Sequence, residues 1–161
     1  MTNVRIVFAR PDDVPVILDL IRGLGEYERL SHEIVATEDS LRKWLFGERP
    51  AAEVVLAYVD TAVVGFALFF HNFSTFLGRP GLYLEDLFVK PEWRGQGIGQ
   101  KLLVHLAELA VERGCGRMEW TVLDWNEPAL RFYERMGARV MKEWKLCRLT
   151  GDSLTRVAGK S

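Results

Sequence analysis

The apolar positions change period along the chain, and those changes mark out its elements. Val4 to Phe8 reads as a short first strand. After a turn at Arg10-Pro11-Asp12-Asp13, the residues Val14, Ile17, Leu18, Ile21 and Leu24 recur at three- and four-residue spacing, which keeps one helical face apolar. That helix is predicted to end around Gly25 to Glu28. Thr37-Glu38-Asp39 predicts the start of a second helix carrying Leu41, Trp44, Leu45 and Phe46. The threonine suits the N-cap, and the acids suit the positive end of the helix dipole. Gly47 and Pro50 close it. Two apolar runs, Glu53 to Val59 and Ala62 to Phe70, flank Asp60-Thr61 and predict a hairpin. Asn72 to Pro80 reads as a loop rich in aromatics and glycine.

The second half of the chain begins with a strand from Leu82 to Val89 that holds two adjacent carboxylates, Glu85 and Asp86. Pro91 ends it, because proline cannot donate to a sheet ladder. From Gly97 onward, Ile98, Leu102, Leu103, Leu106, Leu109 and Ala110 follow a helical period, and Gly114 to Gly116 is the stop. Arg117 to Leu123 predicts another strand and Asn126 to Met136 a short helix. Ala138 to Leu149 predicts a final strand or bent pair, and Gly151 to Ser161 a marginal helix or a frayed tail. No repeat or linker divides the chain, so residues 1–161 are expected to form one domain. An early hairpin followed by strand–helix alternation predicts an α/β or α+β fold, a sheet covered by helices.

Composition narrows the function more than the fold. A chain of 161 residues with 48% hydrophobic and 27% charged residues is ordinary for one globular domain. A net charge of -1 gives no reason to expect a nucleic-acid partner, which usually demands a basic face. Cys115 and Cys147 lack CxxC or metal-ligand spacing, which points to free thiols in a reducing compartment and to no metal site. The opening residues carry no signal pattern and no apolar run reaches membrane-spanning length, so a cytoplasmic protein without a membrane partner is expected. His32, His71 and His105 have no partner at catalytic or ligand spacing.

The densest chemical signal is Arg94-Gly95-Gln96-Gly97-Ile98-Gly99, at the start of a helix. First-turn amides have no partner inside a helix and sit at its positive end, so they form a phosphate site. Arg94 adds a fixed charge with forked donors suited to phosphate oxygens. A tight turn whose glycines only permit close packing would read the same way. No Gly-Lys-Ser/Thr ending follows, which excludes a P-loop reading. The glycine spacing also differs from that of a Rossmann dinucleotide site.

Three blocks taken together carry a resemblance: LYLEDLFV before the loop, the loop itself, and WNEPALRFYERMGA from Trp125 to Ala138. They resemble the GNAT superfamily of acetyl-CoA-dependent N-acetyltransferases, and in particular its spermidine/spermine (diamine) and thialysine branch. The resemblance implies a mixed, mostly antiparallel sheet in which the Leu82–Val89 and Arg117–Leu123 strands lie parallel and splay to admit acetyl-CoA. It implies cofactor contacts from Leu87, Phe88 and Val89, from Arg94, Gly95, Gln96, Gly97, Ile98, Gly99 and Gln100, and from Asn126, Glu127, Pro128 and Ala129.

It also assigns roles at the reacting end. Tyr133 is implied as the general acid that protonates the departing thiolate, and Glu85 as the carboxylate that takes a proton from an ammonium substrate, with Asp86 auxiliary. Tyr27, Glu28, Glu119, Trp120 and Thr121 match substrate-contacting positions. Read without the resemblance, Tyr133 also fits an amphipathic core, returning to the face of Asn126 two turns on, and Asn126-Glu127-Pro128 is a good helix start. On a regular strand Glu85 and Asp86 point to opposite faces, so both line one pocket only if a bulge intervenes. Trp144 in KEWKL resembles a late tryptophan of the branch. The segment before it is shorter than in the family and carries Lys142 beside Glu143, which departs from the polyamine pattern. The expected activity is direct acetyl transfer to a primary amine of a small cationic molecule by a homodimer. The alternatives are a peptide or protein acetyltransferase and a coenzyme A-binding sensor without turnover.

Overall fold

A computed structural model describes residues 2–160, and the chain divides into two compact units, residues 1–121 and 122–161. The first unit holds a five-stranded sheet: β1 (Arg5–Phe8), β2 (Glu53–Val59), β3 (Ala62–Ser74), β4 (Arg79–Val89) and β5 (Arg117–Glu119). The strands lie in sequence order; every neighbouring pair is antiparallel except β4 and β5, which run parallel. The expected mixed, mostly antiparallel sheet flanked by helices is therefore observed. Parallel neighbours need a crossover, and the helix α3 (Ile98–Glu112) supplies it.

Helices α1 (Val14–Glu28) and α2 (Glu38–Phe46) bury Val14, Ile17, Leu18, Leu20, Leu24, Leu41 and Leu45 against Val54, Leu56, Phe66 and Phe88 of the sheet. Phe69 points to the opposite face from Phe66, and there its ring meets Arg113 at the end of α3. The apolar stripe of α3 is buried from Ile98 through Leu102 and Leu106. Thr37 caps α2 as expected, its hydroxyl oxygen accepting from the Ser40 amide while the Ser40 hydroxyl accepts from the Thr37 amide. Gly25, expected near the end of α1, lies inside it, three residues before its last residue Glu28; the C-cap Arg29 takes the left-handed region. Its missing β-carbon leaves room for Ile34, since a Cβ there would run into Ile34 Cδ1.

Two sequence readings need correction in the first unit. The segment from Asn72 to Pro80 is mostly strand, because β3 runs on to Ser74 and β4 begins at Arg79. Only residues 75–78 turn, with Ser74 Oγ accepting from the Leu77 amide and Gly78 taking a positive φ of 64°. The Asn, Gly and Pro residues there looked like loop chemistry, yet the ladder reaches Ser74↔Arg79. The strand expected from Arg117 to Leu123 lasts only to Glu119, where its pairing with β4 ends at Tyr83↔Glu119.

The second unit carries α4 (Glu127–Arg135) and α5 (Gly151–Val157). Asn126 caps α4, its Oδ1 accepting from the Ala129 amide, and Pro128 stands in the first turn. The strand or bent pair expected from Ala138 to Leu149 is absent: the segment forms only a turn at Lys142–Glu143, and residues 139–150 are exposed. Alternating apolar residues make a strand only where a partner ladder takes up their amides and carbonyls. The marginal helix expected in the tail is α5; Ser161 lies outside the described residues.

Candidate active site

The site begins with a misalignment between two strands. Leu68 of β3 pairs with Asp86, but the next residue, Phe69, pairs with Leu84. Glu85 is therefore the extra residue of a β-bulge. Paired residues share a face, so Leu84 stays with Phe69 while Asp86 joins Leu68 and, two residues on, Phe88 beneath α1. Without the bulge, Leu84 and Asp86 would lie on the same face. Glu85 is left exposed and Asp86 half-buried. The condition that sequence reasoning set for both carboxylates to serve one pocket is thus met by the backbone.

The end of α1 closes on this place. Gly23 lies against the Phe88 ring, where a Cβ would come within 2.9 Å of Cε2 and Cζ, and this close approach seats the last turns of α1 over β4. Tyr27 and Glu28 follow in the final turn. Burial raises the Glu28 pKa. For Asp86, burial first, then the charges of Glu85 and Glu28, push the carboxyl up to about 7. An anion taken from water beside two others is disfavoured on both counts. Glu28, Glu85 and Asp86 form one electrostatic cluster, and α1 and β4 bring together residues that lie far apart in sequence.

Arg94 enters the same neighbourhood. Its Nε donates to the Val89 carbonyl at 2.9 Å, and its guanidinium lies 4.6 Å from the centre of the Tyr27 ring and 5.5 Å from that of Phe88. The sequence marked Arg94 for phosphate alone; the structure shows it also tying the glycine loop to the end of α1. Gly23 and this stack were not foreseen, and a glycine inside a strongly periodic helix was the one signal available for the first.

The loop answers the question left open about its glycines. Gly95 and Gly97 have φ of 78° and 79°, and a Cβ at either would meet nothing within 4 Å. They are not there to let elements pack closely. They hold the left-handed backbone of the turn into α3. Gln96 between them receives a bond from the Thr2 hydroxyl at 2.6 Å, and Lys101 reaches the Thr2 carbonyl at 2.9 Å. A groove of about 750 Å³ borders the loop on the β1 side, lined by Val4, Ile6, Gln100 and Val104 among others, and none of the three clustered carboxylates lines it. Ile98 and Gln100 follow in α3, Ile98 with its side chain in the core; at Gly99 a would-be Cβ makes only ordinary contact, with Val89 Cγ2 at 3.9 Å.

The pairing of β4 with β5 ends partway along β4. The parallel ladder covers Gly81↔Arg117, Leu82↔Met118 and Tyr83↔Glu119, then stops, while β4 continues to Val89 with β3 as its ladder partner. Leu87, Phe88 and Val89 lie in this stretch. Of the substrate positions on β5 and just beyond it, Glu119 pairs with Arg117 at 3.2 Å, Trp120 is half-buried and Thr121 is exposed. The second unit carries the rest: Asn126 is buried at the cap of α4, Glu127 and Pro128 are exposed, Ala129 donates to Asn126, and Tyr133 is half-buried with its ring 5.3 Å from that of Phe132. Among the described residues no group of His, Cys, Asp and Glu is arranged to hold a metal ion, and no helix is long and apolar enough to cross a membrane.

This geometry provides a loop with left-handed glycines at the start of α3, a strand that loses one ladder partner partway along, and a cluster of carboxylates at its bulge. Comparison with known proteins gives the arrangement a family. The acetyltransferase (GNAT) family pattern matches residues 19–138. The chain is 40% identical to a thialysine N-epsilon-acetyltransferase of Bos taurus, over 99% of this chain and 100% of that one. It is 39% identical to an L-ornithine N5-acetyltransferase of Arabidopsis thaliana, over 95% of this chain and 87% of that one. A solved integron cassette protein from the mobile metagenome of V. cholerae superposes with a TM-score of 0.79 at 30% identity, covering 98% of each chain.

Proposed function

The chain belongs to the GNAT acetyltransferase family, and from that premise we propose that it moves the acetyl group of acetyl-CoA directly onto a primary amine of a small cationic molecule. The observation that carries the substrate class is the cluster of Glu28, Glu85 and Asp86 at the β4 bulge, a concentration of carboxylates suited to an ammonium group. Relatives that share nearly the whole chain are named for thialysine and ornithine, both small molecules with a side-chain amine. That agreement supports a small amine over a peptide.

The loop residues fit the co-substrate, since Gly95 and Gly97 leave the helix amides uncovered. Acetyl-CoA supplies an acyl carbon activated by its thioester. Arg94, Gly95, Gln96, Gly97, Gly99 and Gln100 are assigned to its pyrophosphate, and the main chain of Leu87, Phe88 and Val89 to its arm and to the developing oxyanion. Ile98, Asn126, Glu127, Pro128 and Ala129 complete that set. Tyr133 is assigned as the proton donor to the leaving thiolate. Tyr27, Glu119, Trp120 and Thr121 are assigned to the amine pocket. Neither cysteine is given a role, so transfer is direct.

We further read residues 1–161 as one acetyltransferase domain, cytoplasmic and homodimeric. The family match runs from the first unit into the second, as far as residue 138, and Cys115 and Cys147 are both free thiols. Exposed apolar side chains at Val140, Trp144, Leu146 and Leu149 in a segment without a ladder support pairing with a second copy. The experiment is a thiol-release assay with acetyl-CoA over thialysine, ornithine, polyamines, amino acids and peptides, with Tyr133→Phe alongside the wild type. Turnover confined to small diamines, and lowered about a hundredfold in the variant with cofactor affinity kept, is expected. Peptide-only turnover, or acetyl-CoA binding with no turnover on any amine, removes the proposal. Light scattering of the active protein tests the dimer.

A further inference from the structure

The bulge gives the two adjacent carboxylates different surroundings, and different surroundings suit different work. Glu85, as the extra residue, stands out into solvent. Asp86 is turned onto the α1 face, opposite the apolar Leu68 and two residues from the buried Phe88. We infer that Asp86, and not Glu85, takes the proton from the amine, with Glu85 and Glu28 supplying the charge that draws the ammonium in. This rests on the acetyl-transfer reading and deepens it by assigning its base.

The charged groups around Asp86 come from three elements. Glu28 approaches from the end of α1, Glu85 adjoins it on β4, and Arg94 is the cation on that face, seated over Tyr27 and Phe88. β3 presents Leu68 directly opposite. Burial, then Glu85, then Glu28, raise the Asp86 carboxyl to about 7. A base is most effective when its pKa lies near the working pH, because it is then both partly ionised and strong enough to accept. A carboxylate left at the usual carboxylate value of about 4 holds a proton too weakly to draw one from an ammonium near 10.

The step balances. The substrate arrives as an ammonium and Asp86 takes one proton, leaving a neutral amine whose lone pair forms the N–C bond to the acyl carbon. The C–S bond breaks and the thiolate receives a proton from Tyr133. The nitrogen loses its second proton, the Tyr133 phenolate is made good, and Asp86 returns its own proton to solvent. The sum is one amide, one thiol and one released proton. Nothing is oxidised or reduced.

The sign of the pH dependence follows. Below about 7 Asp86 is protonated and cannot accept, so kcat/KM falls toward acid pH. Bound ammonium favours the ionised carboxylate, so the corresponding limb in kcat lies lower. The test is amine-dependent thiol release against pH for the wild type, Asp86→Asn, Glu85→Gln and Glu28→Gln. Asp86→Asn is expected to lose about a hundredfold in kcat/KM together with the acid limb. Glu85→Gln and Glu28→Gln each remove a like charge and are expected to keep the limb but move it down by roughly half a pH unit or more. If Asp86→Asn does not fold, these two shifts decide the matter. A limb that vanishes in Glu85→Gln and survives in Asp86→Asn, or one that neither glutamine variant moves, overturns the assignment. A wild type with no amine-dependent release from any amine removes the acetyl-transfer reading itself, and that result is distinct, since a wrong base leaves the wild type active.

Discussion

The two halves of β4 share one strand and differ in what borders it. Within β4, Gly81 to Tyr83 pairs with both β3 and β5, with Leu82 fully buried; Leu84 to Val89 has β3 as its ladder partner. The closed half carries the buried Leu82 and none of the clustered carboxylates. The open half carries the bulge and two carboxylates, and it is the half whose main chain we assign to the co-substrate. A sheet that stays paired on both edges holds the fold, and one that loses a neighbour for a few residues gains a binding edge.

The comparison breaks most visibly at Leu82. Leu82→Ala removes a fully buried side chain in the closed half and is expected to cost about 2–5 kcal/mol. Denaturant midpoints measure it, and turnover per folded molecule should stay near the wild type. A comparable drop in turnover would mean that the closed half also serves the site.

At the loop beyond the open half the balance reverses. Gly97 sits at a φ of 79° with nothing near its would-be Cβ, so Gly97→Val meets no protein atom. It forces a branched residue into left-handed backbone, at about 1–2 kcal/mol, and places methyl groups where the pyrophosphate is assigned. Acetyl-CoA affinity should fall at least tenfold by calorimetry. Unchanged affinity would separate the loop from the co-substrate.

Asp86 sharpens the contrast further, because it is a stability liability. Its folded pKa, about 7, lies above the value of 3.8 expected unfolded, so the folded state holds its proton more tightly. Its stabilising contribution is full below about pH 3.8 and is lost as pH rises through about 7. Asp86→Asn should therefore be more stable than the wild type at pH 8, by about 1 kcal/mol or more, with the gain fading by pH 4. Thermal melts at the two pH values decide it. A gain equal at both would mean that the charge is not the cause.

How much of this was legible depends on whether a feature is local. The helices α1 to α4, the first hairpin and the glycine loop announced themselves through period, caps and turn residues that lie within a few positions of each other. The bulge did not, since nothing in LYLEDLFV says that Phe69 skips Glu85; that is settled by pairing with a strand more than ten residues away. The shared face of Glu28 and Asp86 was equally hidden, because it depends on Gly23 lying against Phe88. The length of β3 was missed for the opposite reason. Local turn chemistry from Asn72 to Pro80 looked decisive, and the ladder overrode it. The segment from Ala138 to Leu149 reads apolar enough for strand, yet a ladder needs a second strand that local pattern does not supply.

The smallest effect is expected where charge borders the closed half. Arg113 grips Glu53 with two bonds of 2.6 and 3.0 Å, its guanidinium lies 5.8 Å from the centre of the Phe69 ring, and His71 Nε2 stands 3.4 Å from Nη1. The Glu53 bond raises the Arg113 pKa. Both partners are about a third exposed, at 31% and 38%, so losing one leaves the other in reach of water and no buried charge is stranded. Arg113→Gln should cost no more than about 1 kcal/mol, and less as added salt screens the pair in the wild type. The pH profile of turnover should not move, whereas changing Glu28 or Glu85 at the open half moves it. A charge change of the same size then reads as stability at one end of β4 and as chemistry at the other. An Arg113→Gln protein whose acid limb shifts as far as that of Glu28→Gln would erase the distinction between the two halves.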